Sequence, residues 1–180
     1  MRFQTIALAV AIVFACVLVP ATAVFPPASA RAGAAVHAEP ETVQPISGSG
    51  VHFLKTAIVH SWTPTATGGI QRSTETVDLT GDLTGRILYH PTSVIDSQSL
   101  VNTGHQVFSG TVLGSEPVML HDDTFRFDVD LHTGTGTGTV HLADRLDGPK
   151  VRCDLIVLST GITADGNVAA DYTGECRFKN

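Results

Sequence analysis

Residues 151–178 read VRCDLIVLSTGITADGNVAADYTGECRF, two runs of alternating side chains on either side of a turn. The turn contains Asp165-Gly166, a dipeptide that is one of the strongest short-range signals for a β-hairpin. A two-residue turn at Ala164 and Asp165 places Cys153 directly opposite Cys176, within the distance that a disulfide spans. The stretch therefore predicts a disulfide-stapled hairpin, with two buried free thiols as the alternative.

The same register pairs Val157 with Tyr172 on the face that carries the cysteines. Because the side-chain period of a strand is two, a slip of one residue would send all of these side chains to the opposite face. Tyr172 is thus predicted to enter the interior. Its hydroxyl would need a partner there, such as Ser159, Thr111 or a ligand oxygen.

The amino-terminal residues 1–30 have the pattern of a secretory signal peptide. Arg2 precedes an apolar run over residues 6–19, Pro20 breaks the run, and small residues then offer cleavage sites. The run is short for a membrane span, so we expect a mature chain without one. We expect secretion, or a periplasmic location, after cleavage.

Cys16 lies inside the predicted signal peptide, so its removal leaves an even pair of cysteines in an oxidising compartment. The even number of remaining cysteines favours the disulfide over free thiols. A lipid-attachment site at Cys16 fits poorly, because Phe14 is bulky where such a site has small residues.

Residues 31–50 hold small residues, glycines and prolines without periodicity, which predicts a disordered linker before a domain at 51–180. The chain carries 17 acidic against 11 basic residues, with a formal net charge of −6. It has no basic run interleaved with aromatic residues, so we expect neither nucleic acid nor anionic membrane as a partner. No feature of the sequence indicates an oligomeric state.

From residue 51 onward the chain alternates between strand patterns and turn residues, with no sustained helical period. We predict an all-β domain of eight strands, a number that closes an antiparallel up-and-down barrel. A two-sheet β-sandwich is the alternative. The predicted strands cover residues 51–62, 73–80, 83–93, 106–113, 124–131, 136–143, 151–160 and 168–178.

The clearest alternation is TFRFDVDLH at residues 124–132, in which Phe125, Phe127, Val129 and Leu131 are predicted to face inward. A tight turn over residues 133–135 would follow this strand. A turn centred on Gly134 and Thr135 would set Asp128 opposite His141 on the outer face.

Glycine occupies every second position over residues 134–138, and the missing side chains permit sharp coiling or leave room for a large neighbour or a ligand. We favour barrel curvature. No helix is predicted after these glycines, so they do not form a phosphate cradle, and we expect no cofactor.

The segments TGDLTG (residues 80–85) and FSGTVLG (108–114), together with the Gly-Thr repeat, resemble the small glycine-punctuated barrels of the allene oxide cyclase and dirigent-like superfamily. The resemblance implies an eight-stranded barrel with a mostly apolar interior. In some members that interior folds and cyclises a hydrophobic intermediate. No catalytic residue of those enzymes matches a defined motif in this chain, so the sequence leaves enzymatic activity open.

Polar and aromatic residues near the predicted barrel give a short list of site candidates. If a cavity exists, Tyr172, Tyr89 and His90 are the polar groups expected in its wall, and Trp62 is either a core plug or a lid over a ligand. The histidines are scattered, so we expect no metal site. His121-Asp122-Asp123 is more typical of a solvated turn than of a cation site.

Three functions fit these patterns. We expect first a secreted, non-catalytic barrel that binds a small apolar molecule or serves as a stable extracellular module. The alternatives are a cyclase or isomerase that acts on a hydrophobic substrate inside the barrel, and a cell-surface protein-interaction module.

Overall fold

The structure is a computed structural model that describes residues 41–143 and 150–179, without the side chains of Asp122 and Asp123. The predicted signal peptide, residues 1–30, lies outside the described residues, and so does the first half of the predicted linker. Within the described ranges, no helix has the length and hydropathy of a membrane span.

Nine antiparallel strands form one sheet, and a single 3-10 turn at Leu54–Thr56 is the only helical element in the described ranges. The strands are β1 (Glu41–His52), β2 (Ile58–Pro64), β3 (Gly69–Gly81), β4 (Leu83–Ile95), β5 (Ser99–Val112), β6 (Val118–Asp130), β7 (Gly136–Leu142), β8 (Lys150–Ile162) and β9 (Val168–Lys179).

The sheet closes on itself. Consecutive strands from β3 to β9 pair as neighbours, β9 pairs with β1, and β1 pairs with the last part of β3. Eight strands, β1 and β3 to β9, therefore form a closed up-and-down barrel. The prediction of this architecture is confirmed, and closure excludes the two-sheet sandwich.

The first barrel strand differs from the prediction. Glu41–His52 forms β1 and pairs with β9 along its whole length, so the second half of the predicted linker belongs to the barrel. Pro45 and two glycines make this segment resemble a linker. Pro45 lies before the part of β1 that pairs with β3, so one edge of the strand is unpaired there and tolerates a residue without an N–H.

The predicted strand 51–62 is split between two elements. After β1 the chain makes the Leu54–Thr56 turn and continues as β2, which pairs only with the first part of β3, Gly69–Thr74. β2 thus extends the sheet beyond the barrel at one end, and all of its side chains are exposed.

The final hairpin has the predicted register as far as Ser159 and Ala170. The two-residue turn predicted at Ala164 and Asp165 is wrong: the loop covers residues 163–167, and a β-bulge between Ser159 and Gly161 shifts the register beside it. Cys153 pairs with Cys176 and Val157 with Tyr172, and the two cysteine sulfurs are at disulfide-bonding distance. Both cysteines are fully buried, so the staple lies on the inner face of the barrel.

The hairpin between β6 and β7 has a longer turn than the predicted one. The Asp130 carboxylate accepts hydrogen bonds from the backbone N–H groups of His132 and Thr133 and holds a turn over residues 131–135. Asp128 therefore pairs with Thr137, and not with His141. Leu131, expected inside, lies in this turn and is 44% exposed.

One half of the barrel interior is a packed hydrocarbon core, which we call the sealed half. It surrounds the disulfide and contains side chains with little or no exposed surface from all eight barrel strands. Its largest members are Leu83, Phe108, Val112, Leu120, Leu142, Val151, Leu155 and Tyr172.

Candidate functional site

The other half of the interior is accessible to solvent. Its inward side chains follow from the register: Phe127 pairs with Asn102 on one side and Gly138 on the other, and paired residues share a face. We call this region the open half. The inner-face side chains that define it are partly exposed and are those of Leu100, Asn102, Phe125, Phe127, Val129 and Val157.

This partial exposure has a direct structural meaning. Inward side chains that contact solvent at this end indicate that solvent reaches the lumen here. The core residues of the sealed half, such as Leu83 and Phe108, have little or no exposed surface. The lumen is therefore closed at one end and open at the end where β2 extends the sheet.

A polar cluster lies on the inner face. Glu75 of β3 accepts a hydrogen bond from the Tyr89 hydroxyl of β4 at 2.8 Å and another from the Ser73 hydroxyl at 2.5 Å. Nε2 of His52, the last residue of β1, lies 2.7 Å from the same carboxylate and 2.9 Å from the Tyr89 hydroxyl. Three strands thus hold one carboxylate among three donors.

The charge state of the cluster follows from these contacts. Burial acts to raise the pKa of Glu75, but the hydrogen bonds from His52, Ser73 and Tyr89 outweigh it, so the pKa lies below its ordinary value. Burial and the negative charge of Glu75 both raise the pKa of Tyr89. At neutral pH the cluster therefore holds an ionised carboxylate and a protonated phenol.

Aromatic rings cover the cluster and the wall beside it. Phe125 meets Tyr89 edge to face, with ring centroids 5.3 Å apart, and His52 meets Tyr89 similarly at 5.6 Å. Phe127 lies over Gly136 and Gly138, where a Cβ would overlap its ring. Gly136 and Gly138 thus make room for a large neighbour, which is the alternative to barrel curvature that the sequence left open.

Two buried amide oxygens lack a hydrogen-bond partner. They are Oδ1 of Asn102, on the inner face of the open half, and Oδ1 of Asn167, in the turn between β8 and β9 at the same end of the barrel. Buried polar atoms in proteins are nearly always paired. An unpaired acceptor beside an open lumen is a position where a bound molecule can donate a hydrogen bond.

Tyr172 is inside the barrel, as predicted, but with other partners. Its hydroxyl accepts the backbone N–H of Leu83 at 2.7 Å and lies 3.2 Å from the carbonyl oxygens of Thr80 and Leu83. The ring passes over Gly48, where a Cβ would overlap the hydroxyl. The expected partners Ser159 and Thr111 are wrong, and Tyr172 ties β9 to the turn between β3 and β4 within the sealed half.

His90 does not line the lumen. It follows the inward Tyr89, so its side chain points to the outer face, where Nδ1 lies 2.9 Å from the Thr74 hydroxyl. The expectation that His90 belongs to a cavity wall is wrong because it treats two neighbouring residues of one strand as sharing a face.

Trp62 is on β2 and is 49% exposed, so it is not a core plug. Its ring lies over Gly69, whose inner-face neighbours along β3 include Ser73. Trp62 therefore stands at the rim of the open half, on the side of the sheet that faces the lumen.

Sequence reasoning found Tyr89 but missed its partners His52 and Glu75. The available signal was the run Ser73-Thr74-Glu75-Thr76-Val77, in which two polar residues, Ser73 and Glu75, share one face of the strand with the apolar Val77. A charged residue at an inward position of a predicted barrel strand indicates a functional site or a buried network.

A second depression, with a volume of about 540 Å³, lies on the outer face of β6 to β9. Its charged groups pair among themselves: His141 Nδ1 is 2.6 Å from Asp154, and Arg126 binds Asp128 at 2.6 Å. These ion pairs are exposed and weak. Arg177 also lines the depression, and its Nε is buried without a hydrogen-bond partner.

The described side chains include no group of three or more His, Cys, Asp or Glu arranged to hold a metal ion. The side chains of Asp122 and Asp123, which the sequence places beside His121, lie outside the described set.

The fold and the site define a small closed up-and-down β-barrel whose lumen is sealed at one end and polar at the other. No family model matches this chain, and neither a curated protein nor a solved structure matches it. The likeness to allene oxide cyclase and dirigent-like barrels stays a prediction from sequence.

Proposed function

We propose that the protein holds a small, mainly apolar molecule in the open half of its barrel. The observation that carries this proposal is the partial exposure of inward side chains such as Phe125, Phe127 and Val157. A lumen lined by aromatic and aliphatic groups with a few convergent polar atoms is typical of small-molecule sites.

The lining also suggests how such a molecule would lie. Its apolar part would pack against Phe127 and Val157, and its polar group would reach the Glu75 cluster or the amide oxygen of Asn102. Trp62 at the rim is placed to cover the bound molecule. Burial of apolar surface would supply most of the affinity, and the polar contacts would set the orientation.

Secretion is part of the same proposal. Structural disulfides persist in oxidising compartments, and the pairing of Cys153 with Cys176 supports export of the chain. A binding protein outside the cell, or in a periplasm, would carry or sequester its ligand there.

A second candidate function is a cyclase or isomerase that acts inside the lumen, as the family resemblance implies. The observation that favours it is the contact of His52, whose side chain is 20% exposed, with both Glu75 and Tyr89. This arrangement links two buried titratable groups to the lumen, as proton transfer requires.

An interaction module has less support. Ile156 and Leu158 form a short exposed apolar row on the outer face of β8. The residues paired with Ile156 and Leu158 are threonines and an aspartate, so the row is one strand wide. Protein interfaces are built on broader apolar patches.

The test of the carrier proposal is a titration with N-phenyl-1-naphthylamine, a neutral fluorophore that brightens in apolar sites. We expect saturable binding to the protein made from the full sequence, with a change in the emission of Trp62, the chain's single tryptophan. The variant Val157→Trp fills the lumen and should weaken binding at least tenfold. The matched control Leu158→Trp adds the same ring to the outer face of the same strand and should bind as the wild type does.

Ala170→Phe, on the inner face of β9, gives a second way to fill the lumen, and thermal melts verify that each variant is folded. Unsaturable binding to the wild type, or equal binding by Val157→Trp and Leu158→Trp, would reject the carrier proposal.

A further inference from the structure

The inner face of the barrel has an unbalanced set of charges. The arginines of the described strands, Arg72, Arg86, Arg126, Arg152 and Arg177, each neighbour an inward residue in sequence, so all of them point outward. The described lysines are exposed. The Glu75 carboxylate therefore has no lysine or arginine facing it inside the lumen, and His52 is the only described side chain there that can become cationic.

The unpaired polar atoms in this region, like the carboxylate, favour a ligand that donates hydrogen bonds. Glu75 and Oδ1 of Asn102 are both hydrogen-bond acceptors, and the Asn102 oxygen is buried without a partner. A ligand that satisfies the Asn102 oxygen must bring an N–H or O–H donor. Glu75, which already has hydrogen bonds from Ser73 and Tyr89, would attract a positively charged donor by its charge. A carboxylate or phosphate ligand would instead add acceptors and negative charge beside a desolvated anion.

The aromatic groups favour a cation as well. Phe125 and Tyr89 stand beside Glu75, with their rings in edge-to-face contact, and Phe127 lines the wall towards the rim. The faces of such rings attract an ammonium group, most strongly where water is excluded. An ionised carboxylate among aromatic rings is a suitable environment for an organic ammonium ion.

We propose that the molecule held in the open half is an amine: a mainly apolar compound whose protonated nitrogen points towards Glu75 and the Asn102 amide oxygen. This inference rests on the proposed carrier function and adds the chemical class of its ligand. Because the register places Asn102 opposite Ser93, nearer the rim than Glu75 and Tyr89, the ligand's donors meet acceptors at two depths.

The experiment compares octylamine, octanol and octanoate, which share one hydrocarbon chain and differ in the charge of their polar end. Binding to the full-sequence protein is measured by calorimetry at fixed salt. We expect octylamine to bind at least about tenfold more tightly than octanol, the effect of one charge-assisted hydrogen bond, and octanoate to bind most weakly.

Two matched variants separate a lumen effect from the general attraction of cations by an acidic protein. Glu75→Gln should remove the preference for octylamine and keep octanol binding, which also shows that the variant is folded. Asp154→Asn removes one exposed charge from the outer face and should keep the preference. His52→Lys places a permanent cation beside Glu75 and should abolish the preference without removing the carboxylate.

Octanol binding without a preference for octylamine, or an equal preference in Glu75→Gln, would overturn the amine assignment and leave the carrier function in place. Tighter binding of octanoate than of octylamine would also overturn it. If none of the three compounds binds, the carrier proposal fails, and the amine assignment fails with it.

Discussion

The sealed and open halves of the barrel are built from the same strands, but only the open half adds polar side chains to its apolar lining. Along β5 the inner positions change from Val112 and Phe108 in the sealed half to Gln106 and Asn102 towards the open end. β4 changes in parallel, from aliphatic residues to Tyr89 and Ser93. β4 and β5 thus supply packed hydrocarbon at one end and polar groups to the open lumen at the other, so stability and the proposed binding site are separated along the barrel axis.

The largest expected effect is a loss of stability, and it is measured by replacing one phenylalanine in each half of the barrel. Phe108 has no exposed surface, and Phe108→Ala should destabilise the domain by about 3–5 kcal/mol, because it leaves a cavity in packed hydrocarbon. Phe127→Ala removes a part-exposed ring from an already open lumen and should cost about half of that or less.

Urea denaturation of both variants provides the measurement. Equal losses of stability would show that Phe127 is packed as tightly as Phe108 and that the open half is closed in solution. Fluorophore binding should be retained at least in part by Phe108→Ala and altered by Phe127→Ala, since only Phe127 lines the proposed site.

Removal of the disulfide should give the next largest loss of stability. It also tests whether ligand binding in the open half is independent of the stability of the sealed half. Replacement of both Cys153 and Cys176 by alanine should cost about 3 kcal/mol, because the bridge closes a loop with a sequence separation of 23 residues. We expect ligand affinity in the open half to stay unchanged at temperatures where the variant is folded. Reductant should lower the melting temperature of the wild type and have no effect on the double variant, whereas an unchanged wild-type melt would contradict a structural bridge.

Much of this architecture could be predicted from local signals. Seven of the eight predicted strands match observed ones, and the pairing of Cys153 with Cys176 is confirmed, since turn residues and alternation are local features of the sequence. Most of β1 was not predicted as a strand, because its glycines are required only by packing against a distant residue. Gly48 lies beneath the ring of Tyr172. Such long-range packing leaves no local signature.

The site was harder to predict than the fold. Tyr89 could be named from sequence, but its partners lie on β1 and β3, and closure of the barrel by pairing of β1 with β3 is what brings His52 to Glu75. His90 was predicted in the same cavity wall as Tyr89, although neighbouring strand residues point to opposite faces. A cluster assembled across strands needs the register of every strand between its members.

The smallest expected effect concerns the pH dependence of stability and tests the charge state of Glu75. Its pKa lies below the ordinary value of 4.5, so the unfolded chain takes up this proton at a higher pH than the folded protein does. The contribution of Glu75 to stability is therefore complete above 4.5 and is lost as the pH falls through the folded-state value. The difference in unfolding free energy between the wild type and Glu75→Gln should shrink below this pH. Glu116→Gln, at an exposed position, serves as the control. A difference that grows on acidification would mean that the lumen holds Glu75 protonated, and an uncharged carboxyl would remove the basis for amine binding.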